Sequence, residues 1–481
     1  MIDTTTDQVD VLARAAARAF GKTVGGLPSI RALWLRAVAD RLDEYVDDLV
    51  LAAHHETAFG DARLRGEVAR TSAQLRLFAD VAEEGACLEA VLDHAAPDAT
   101  PPRPDLRRVL RPLGPVAVFA APNFPFAFSV AGGDMASALA VGCPVIVKAH
   151  PGHARTAQLT AALVASALSA AGAPEGMFGL IEGLEAGLAL VEHPAVTAVA
   201  FTGSIAEGRA LIDRVTARPT PIPFFGQLGS INPVVITPGA DARRGGTLAE
   251  GLAESFQLGT GQFWTKPGVV FVPRDSVVGD SLPGLVGAVP HRMLTESIAA
   301  GFAPGVEHHR SVPGVTVVAG RGEAPTGAAA PVVLRTAIER LAGNSSPLFQ
   351  EVFGPVTVLV EYDDLAQVVD VLGSLEGSLT ATLHAEDGEH RPDLLAALER
   401  IAGRVLFDGW PTGVAVTWSQ HHGGPWPAST SQHTSVGATA VRRFLRPIAY
   451  QDAPEGVLPP ALREENPLRI PRRVDGILQL P

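Results

Sequence analysis

Over residues 30–54 the apolar positions Leu35, Val38, Leu42, Val46 and Leu49 recur every three or four residues, with Asp40, Asp43, Asp47 and Asp48 between them. That period is one face of a helix, so the spacing predicts an amphipathic helix there. A second helical pattern spans 63–81, and the prolines and aspartates of 95–107 interrupt the helical block. An alternation follows: strand 116–120, helix near 131–141, strand 145–148, helix 154–170, strands 178–181 and 196–201, helix 205–215. Strands separated by helical stretches of this length indicate βαβ crossovers and a parallel sheet of the dinucleotide-binding kind.

After Asn232 the pattern resumes with strand 234–236, a helix near 247–256, strand 269–272 and later strands 356–360, 379–383 and 405–407. The Gly/Ala/Pro-rich run 314–331 reads as a surface connection with one short strand. The expected fold class is α/β, with a Rossmann-like first part at 1–232 and a second α/β domain at 233–443. A tail covers 444–481.

Composition agrees with a chain that builds large cores. At 481 residues it exceeds what one core comfortably fills, and 47% of its residues are hydrophobic against 19% charged. A net charge of −13, without a Lys/Arg cluster interleaved with aromatics, argues against a nucleic-acid partner. The first twenty residues lack the pattern of a signal peptide, and no apolar run approaches a membrane span, so a soluble cytoplasmic protein is expected. Cys87 and Cys143 are the only cysteines, which leaves neither a disulfide framework nor a cysteine metal site; no metal is expected.

The run 114–148 (GPVAVFAAPNFPFAFSVAGGDMASALAVGCPVIVK) resembles an aldehyde dehydrogenase pattern in which a strand ends in P-x-N-F-P, a helix follows and the next strand ends in Lys. FTGSIAEG, FGQLGSINP, GTGQFWTKPG and EVFGP then appear in that family's order. The wording of KAHPGHARTA, GSINPV and HHGGPWPAST looks most like the branch that includes NADP-dependent 2-oxoglutarate semialdehyde dehydrogenases. The resemblance runs from about Leu27 to Tyr450.

The resemblance implies roles for particular residues. Asn123 would offer its side-chain amide to a developing oxyanion, where a preorganised donor is worth about two to three orders of magnitude in rate. Lys148 would contact the adenosine ribose at a strand's carboxyl end. Family members that prefer NAD often carry a Glu three residues later; here Pro151 stands there with His150, His153 and Arg155 around it, so NADP(H) is expected ahead of NAD(H). Gly203, Ser204 and Gly208 match a glycine turn that opens a helix toward the pyrophosphate. Glu351 and Phe353 match the contacts to the nicotinamide ribose. Pairing segments in the family lie near 95–112 and 444–481, which implies a homodimer or homotetramer acting on a small-molecule substrate.

The covalent machinery departs from the pattern. The family reads G-Q-x-C-T where this chain reads Gly261-Gln262-Phe263-Trp264-Thr265, and the E-L-G-G glutamate is replaced by Gln227. An indole cannot attack a carbonyl and leave as a thiolate does, and a neutral amide cannot take up the proton. Positions 227 and 264 keep the family's separation, so a displaced cysteine is not hidden nearby. Cys87 and Cys143 read as structural. Lys266, Trp418, His421 and His422 are further departures, and Lys266 or a histidine is a candidate acid or base.

Three functions therefore stand at this point. The first is an NAD(P)-dependent oxidoreductase that transfers hydride directly to or from a carbonyl, imine or hemiaminal. The others are a cofactor-binding pseudoenzyme serving as scaffold or regulator, and conventional or residual aldehyde oxidation.

Overall fold

The structure, a computed structural model, describes residues 3–320, 324–341, 346–389 and 391–481. The sheet of the first part has five parallel strands in the order Phe178–Ile181, Val145–Lys148, Val116–Phe119, Ala198–Thr202, Phe224–Gln227. Val116–Phe119 comes first along the chain but sits in the middle. The succession of strands runs outward to one side and then to the other, leaving a crevice at the carboxyl ends beside it. The loops after Phe119 and Thr202 flank that crevice.

Helices Gly133–Ala140, Ala154–Ala170, Leu184–Glu192 and Ile205–Ala217 fall between the strands. Val116, Val118, Val145 and Val147 pack into one buried cluster, while Ala117, Phe119, Ile146 and Val199 pack into a cluster on the opposite face. A central parallel strand buried on both sides reads as an unbroken apolar run, as these do.

The second sheet has seven strands, ordered Thr316–Ala319, Val332–Ala337, Val356–Tyr362, Val269–Pro273, Val234–Ile236, Ser378–His384, Ala402–Phe407. All neighbours are parallel except the Thr316–Ala319 edge. The α/β class expected from the alternation is therefore observed. A third sheet joins distant parts of the chain in the order Leu445–Gln451, Leu106–Pro112, Ala90–Asp93, Arg472–Val474, Ile477–Gln479.

Several local expectations need correction. The periodic run 30–54 forms two helices, Pro28–Glu44 and Val46–Thr57, because Tyr45 leaves helical geometry at φ −106°, ψ 24°. Apolar spacing continues across the break, so periodicity alone does not reveal it. The helix expected near 247–256 begins much earlier, at Pro238, with Thr237 capping it. The run 314–331 contains two short strands, Thr316–Ala319 and Ala328–Ala329, and its residues 321–323 lie outside the described ones. Helix Thr6–Thr23, which buries Val9, Ala13, Ala16 and Ala19, was not anticipated.

Candidate functional site

A cavity of about 1550 Å³ opens at the carboxyl ends of the first sheet. Lys148, His150, Gly203, Ser204, Glu351 and Phe353 all line it, and so does Trp264. Gly208 does not; a Cβ there would meet Leu228 Cδ2 at 2.3 Å, so this glycine lets the helix approach its neighbour. Asn123, Gln227 and Lys266 are likewise absent from the lining, although each lies one step behind it.

The sheet end of the cavity is built from strand termini. Lys148 closes its strand, and its stem crosses Gly187, where a Cβ would stand 3.3 Å from Lys148 Cγ. Burial lowers the Lys148 pKa, against the charges of Glu207 and Asp3. His150 Nδ1 accepts the Gly152 N–H at 3.0 Å, which assigns the ring proton to Nε2. Burial pushes that ring down to about 3, with His153 and Lys148 adding to the effect, so it is a neutral donor. Ser204 caps helix Ile205–Ala217 in a reciprocal capping box with Glu207. Gly203 is needed because a Cβ would stand 2.5 Å from the Phe201 ring.

The other end is organised around the 262–266 loop. Asn232, at φ 49°, donates its amide to the carbonyls of Trp264 (2.6 Å) and Lys266 (2.9 Å). Its Oδ1 accepts from Ser230 Oγ at 2.6 Å, which ties the G-S-I-N-P turn to the loop. Gly261, at φ +65°, lets the loop lie on Gly354 of the E-V-F-G-P turn, where a Cβ would meet the Gly354 carbonyl carbon at 2.3 Å.

Trp264 is only 8% exposed. Its ring lies 4.9 Å from Phe128 and 5.3 Å from Phe124, and Phe124 in turn meets Phe263 edge-on at 5.4 Å. The indole both borders the cavity and belongs to an aromatic cluster. Phe353 packs against the same group.

The remaining candidates are held by backbone. Asn123 is fully buried; its Nδ2 donates to the Gln262 carbonyl at 2.7 Å, and its Oδ1 has no partner among the described residues. Gln227 donates from Nε2 to the His422 carbonyl at 2.6 Å. Lys266 donates from Nζ to the Val356 carbonyl at 2.7 Å, which turns it away from the cavity. Burial lowers the Lys266 pKa and raises that of Glu351, and each charge favours the other. Glu351 also accepts the Ser230 N–H at 3.1 Å. His422 is buried and pushed down to about 3, first by desolvation and then by Arg404 and Arg70. His421 is lowered by burial, and Trp418 is half exposed.

Both cysteines are remote from the lining. Cys143 donates to the Phe444 carbonyl at 3.6 Å and Cys87 to the Val81 carbonyl at 3.8 Å. Burial pushes each thiol up to about 11, the opposite of an activated thiol.

The structure also brings in residues that the sequence reading passed over. Helix Asp61–Glu84 presents Arg63, Glu67 and Arg70 toward the loop that carries Asn123. Arg63 Nη2 donates to the Asn123 carbonyl at 2.8 Å, and its guanidinium stands 3.5 Å above the Phe59 ring. Glu67 Oε1 accepts the N–H groups of Phe126 (2.8 Å) and Ala127 (3.0 Å). Arg63 Nη1, Glu67 Oε2 and Arg70 Nη2 are buried without a hydrogen-bond partner among the described residues. No local signal sets them apart: the three charges sit three and four residues apart along one helix, as solvated charges also do.

Comparison with known proteins identifies the family. The family described as "Aldehyde dehydrogenase family" matches residues 1–296. An alpha-ketoglutaric semialdehyde dehydrogenase 2 of Azospirillum brasilense is 47% identical over 460 residues, covering 93% of this chain and 87% of that one. The chain belongs to the aldehyde dehydrogenase family.

An alpha-ketoglutaric semialdehyde dehydrogenase of Acinetobacter baylyi is 41% identical over 484 residues, covering 98% of this chain and 92% of its own. Among solved structures, aldehyde dehydrogenase 21 from Physcomitrella patens superimposes with a TM-score of 0.78 at 20% identity, over 95% of this chain and 92% of that chain. At that identity the likeness speaks to the fold. Membership places the chain among oxidoreductases that work with a nicotinamide cofactor. No helix among the described residues is long and apolar enough to cross a membrane.

Proposed function

We propose that this aldehyde dehydrogenase relative binds NADP(H) ahead of NAD(H) and transfers hydride to or from a carbonyl, imine or hemiaminal carbon without a covalent intermediate. The observation that carries this reading is one cavity gathering Lys148, His150, Gly203, Ser204, Glu351 and Phe353 and ending at Trp264. The residues fit a dinucleotide. Lys148 and the neutral His150 Nε2–H would donate to an adenosine ribose and its substituent, and the helix start at Ser204 would offer its N–H groups to a pyrophosphate. Glu351 is an acceptor for ribose hydroxyls, with Lys266 behind it. Pro151, in place of an acid, leaves the Lys148 side open to a 2′-phosphate.

A bound nicotinamide supplies the hydride acceptor or donor. Trp264 and Phe353 give the reacting face an apolar, water-excluding wall. Asn123 commits one amide hydrogen to the Gln262 carbonyl; its second would orient a substrate oxygen once a ligand opens a path to this side chain, which is fully buried behind the lining. The neutral Gln227 amide neither takes up nor releases a proton as a carboxylate does, so no general-base step passes through it.

The two relatives named for alpha-ketoglutaric semialdehyde suggest a substrate bearing a carboxylate. Arg63 and Arg70 are buried cations, each with one unpartnered Nη atom, but they stand behind the aromatic cluster and do not line the cavity, so the names of the relatives alone carry that suggestion. We further propose that 1–232 and 233–443 act as cofactor-binding and catalytic-type domains, and that 95–112 and 444–481 pair copies of the chain into a dimer or tetramer. Strands from both of those runs share one sheet, whose outer strand Ile477–Gln479 exposes Ile477 and Leu478.

Fluorescence titration tests the reading, because Trp264 borders the cavity. NADPH should quench tryptophan emission with a micromolar Kd, and a panel of aldehydes, cyclic imines and lactols should then show NADPH turnover. Silence at millimolar NADPH and NADH overturns it. A second reading, a cofactor-binding pseudoenzyme, is favoured by one observation: the amides of Gln227 and Asn123 are both tied to backbone carbonyls. Tight binding without turnover across the panel would select that reading.

A further inference from the structure

The chain's N-terminal residues reach the adenosine end of the cavity. Thr4 N–H donates to the Glu182 carbonyl at 3.0 Å, and Glu182 N–H donates to Thr4 Oγ1 at 2.9 Å, so the segment lies beside the end of strand Phe178–Ile181. Thr5 then caps helix Thr6–Thr23 through a reciprocal capping box with Gln8. That helix anchors the strap on the sheet: Val9, Ala13 and Ala16 are buried with Phe119, Ile146 and Ile181. Close approach at Gly176 confirms the fit, since a Cβ there would meet the Ala15 carbonyl oxygen at 2.4 Å.

The strap delivers a carboxylate. Asp3 packs over Gly183, where a Cβ would stand 2.7 Å from Asp3 Cγ, and Asp3 lines the cavity together with Lys148 and Glu182. Glu182 is buried and oriented by Gln158 Nε2 at 2.7 Å. A carboxylate at the adenosine end accepts hydrogen bonds from ribose hydroxyls and repels a 2′-phosphate.

We propose that Asp3, carried into the cavity by the N-terminal strap and seconded by Glu182, is a specificity-determining residue that restrains the preference for NADP(H) over NAD(H). Two features then oppose each other at one place: Pro151 and Lys148 admit the 2′-phosphate, and the strap penalises it. The inference rests on the dinucleotide-binding reading given above.

Its test is competitive titration of the full chain with NADPH and NADH, comparing the parent with Asp3→Asn and with Asp7→Asn as an exposed acidic control on the following helix. Asp3→Asn should raise the NADPH-to-NADH affinity ratio about fivefold, the size of one partly screened charge interaction. The gain should shrink as salt rises, because the lost repulsion is electrostatic. Asp7→Asn should leave the ratio unchanged. Binding of both dinucleotides with an unaltered ratio in Asp3→Asn overturns this inference alone. Failure of the parent to bind either one overturns it together with the reading on which it rests.

Discussion

At the sheet end of the cavity, Lys148, Gly203 and Ser204 stand where strand termini and a helix start place donors toward a ligand. At the far end, Trp264 stands where the family resemblance would put a cysteine, and its indole packs against Phe124 and Phe128. The backbone scaffold is the same quality at both ends: the 262–266 loop is pinned by Asn232 as firmly as the Ser204 helix is capped. The difference lies in the side chains that each scaffold carries: polar groups aimed at open space at one end, packed aromatic rings at the other.

Introducing the family's cysteine and glutamate is the strongest way to break the contrast. The double variant Trp264→Cys, Gln227→Glu should raise aldehyde oxidation by at least about a thousandfold over the parent, a fraction of what a lost nucleophile ordinarily costs. NAD(P)H production from an acid semialdehyde reads it out. No gain in a folded variant would mean the far end has diverged beyond these two positions.

Removing the indole asks whether Trp264 acts as a structural member. Trp264→Ala should destabilise the chain by about 3 kcal/mol in urea unfolding, as truncations of buried aromatics do. A change near zero would make it a lid on the cavity and not a part of the core. At the other end, Lys148→Ala should weaken dinucleotide binding about tenfold while leaving unfolding midpoints close to the parent. Equal losses in stability and binding would erase the distinction between the two ends.

The smallest effect lies outside the cavity and provides a baseline. His94 bonds to Asp475 through Nδ1 at 2.6 Å and to Glu464 through Nε2 at 3.1 Å, and these bonds raise its pKa. A raised folded pKa gives stability that is fully present below the ordinary histidine value and lost as pH rises through the folded one. His94→Asn should therefore lower Tm more at about pH 6 than at about pH 9. A pH-independent difference would show that the ring contributes only packing.

Much of the fold was legible in the chain. Short apolar strands between helical runs announced the parallel sheet, and Val116–Phe119, Val145–Lys148 and Ala154–Ala170 fall where the pattern put them. The break at Tyr45 was not legible, because the apolar period crosses it without interruption. In the site, the family resemblance marked Gly203 and Ser204 as a turn that opens a helix, and the structure adds the cap. Arg63 and Arg70 escaped notice because charges on an amphipathic helix are ordinarily solvated, and only burial against Phe59 and Phe128 sets these apart.

By itself the sequence determined the α/β class and the family, since each depends on local residue type and order. Tertiary structure alone decided which of the marked residues share a cavity. It turned Lys266 toward the Val356 carbonyl, tied Asn123 and Gln227 to backbone oxygens, and carried Asp3 to a strand end 179 positions away at Glu182. Direction and proximity of side chains arise from packing between distant segments, and no local pattern encodes them.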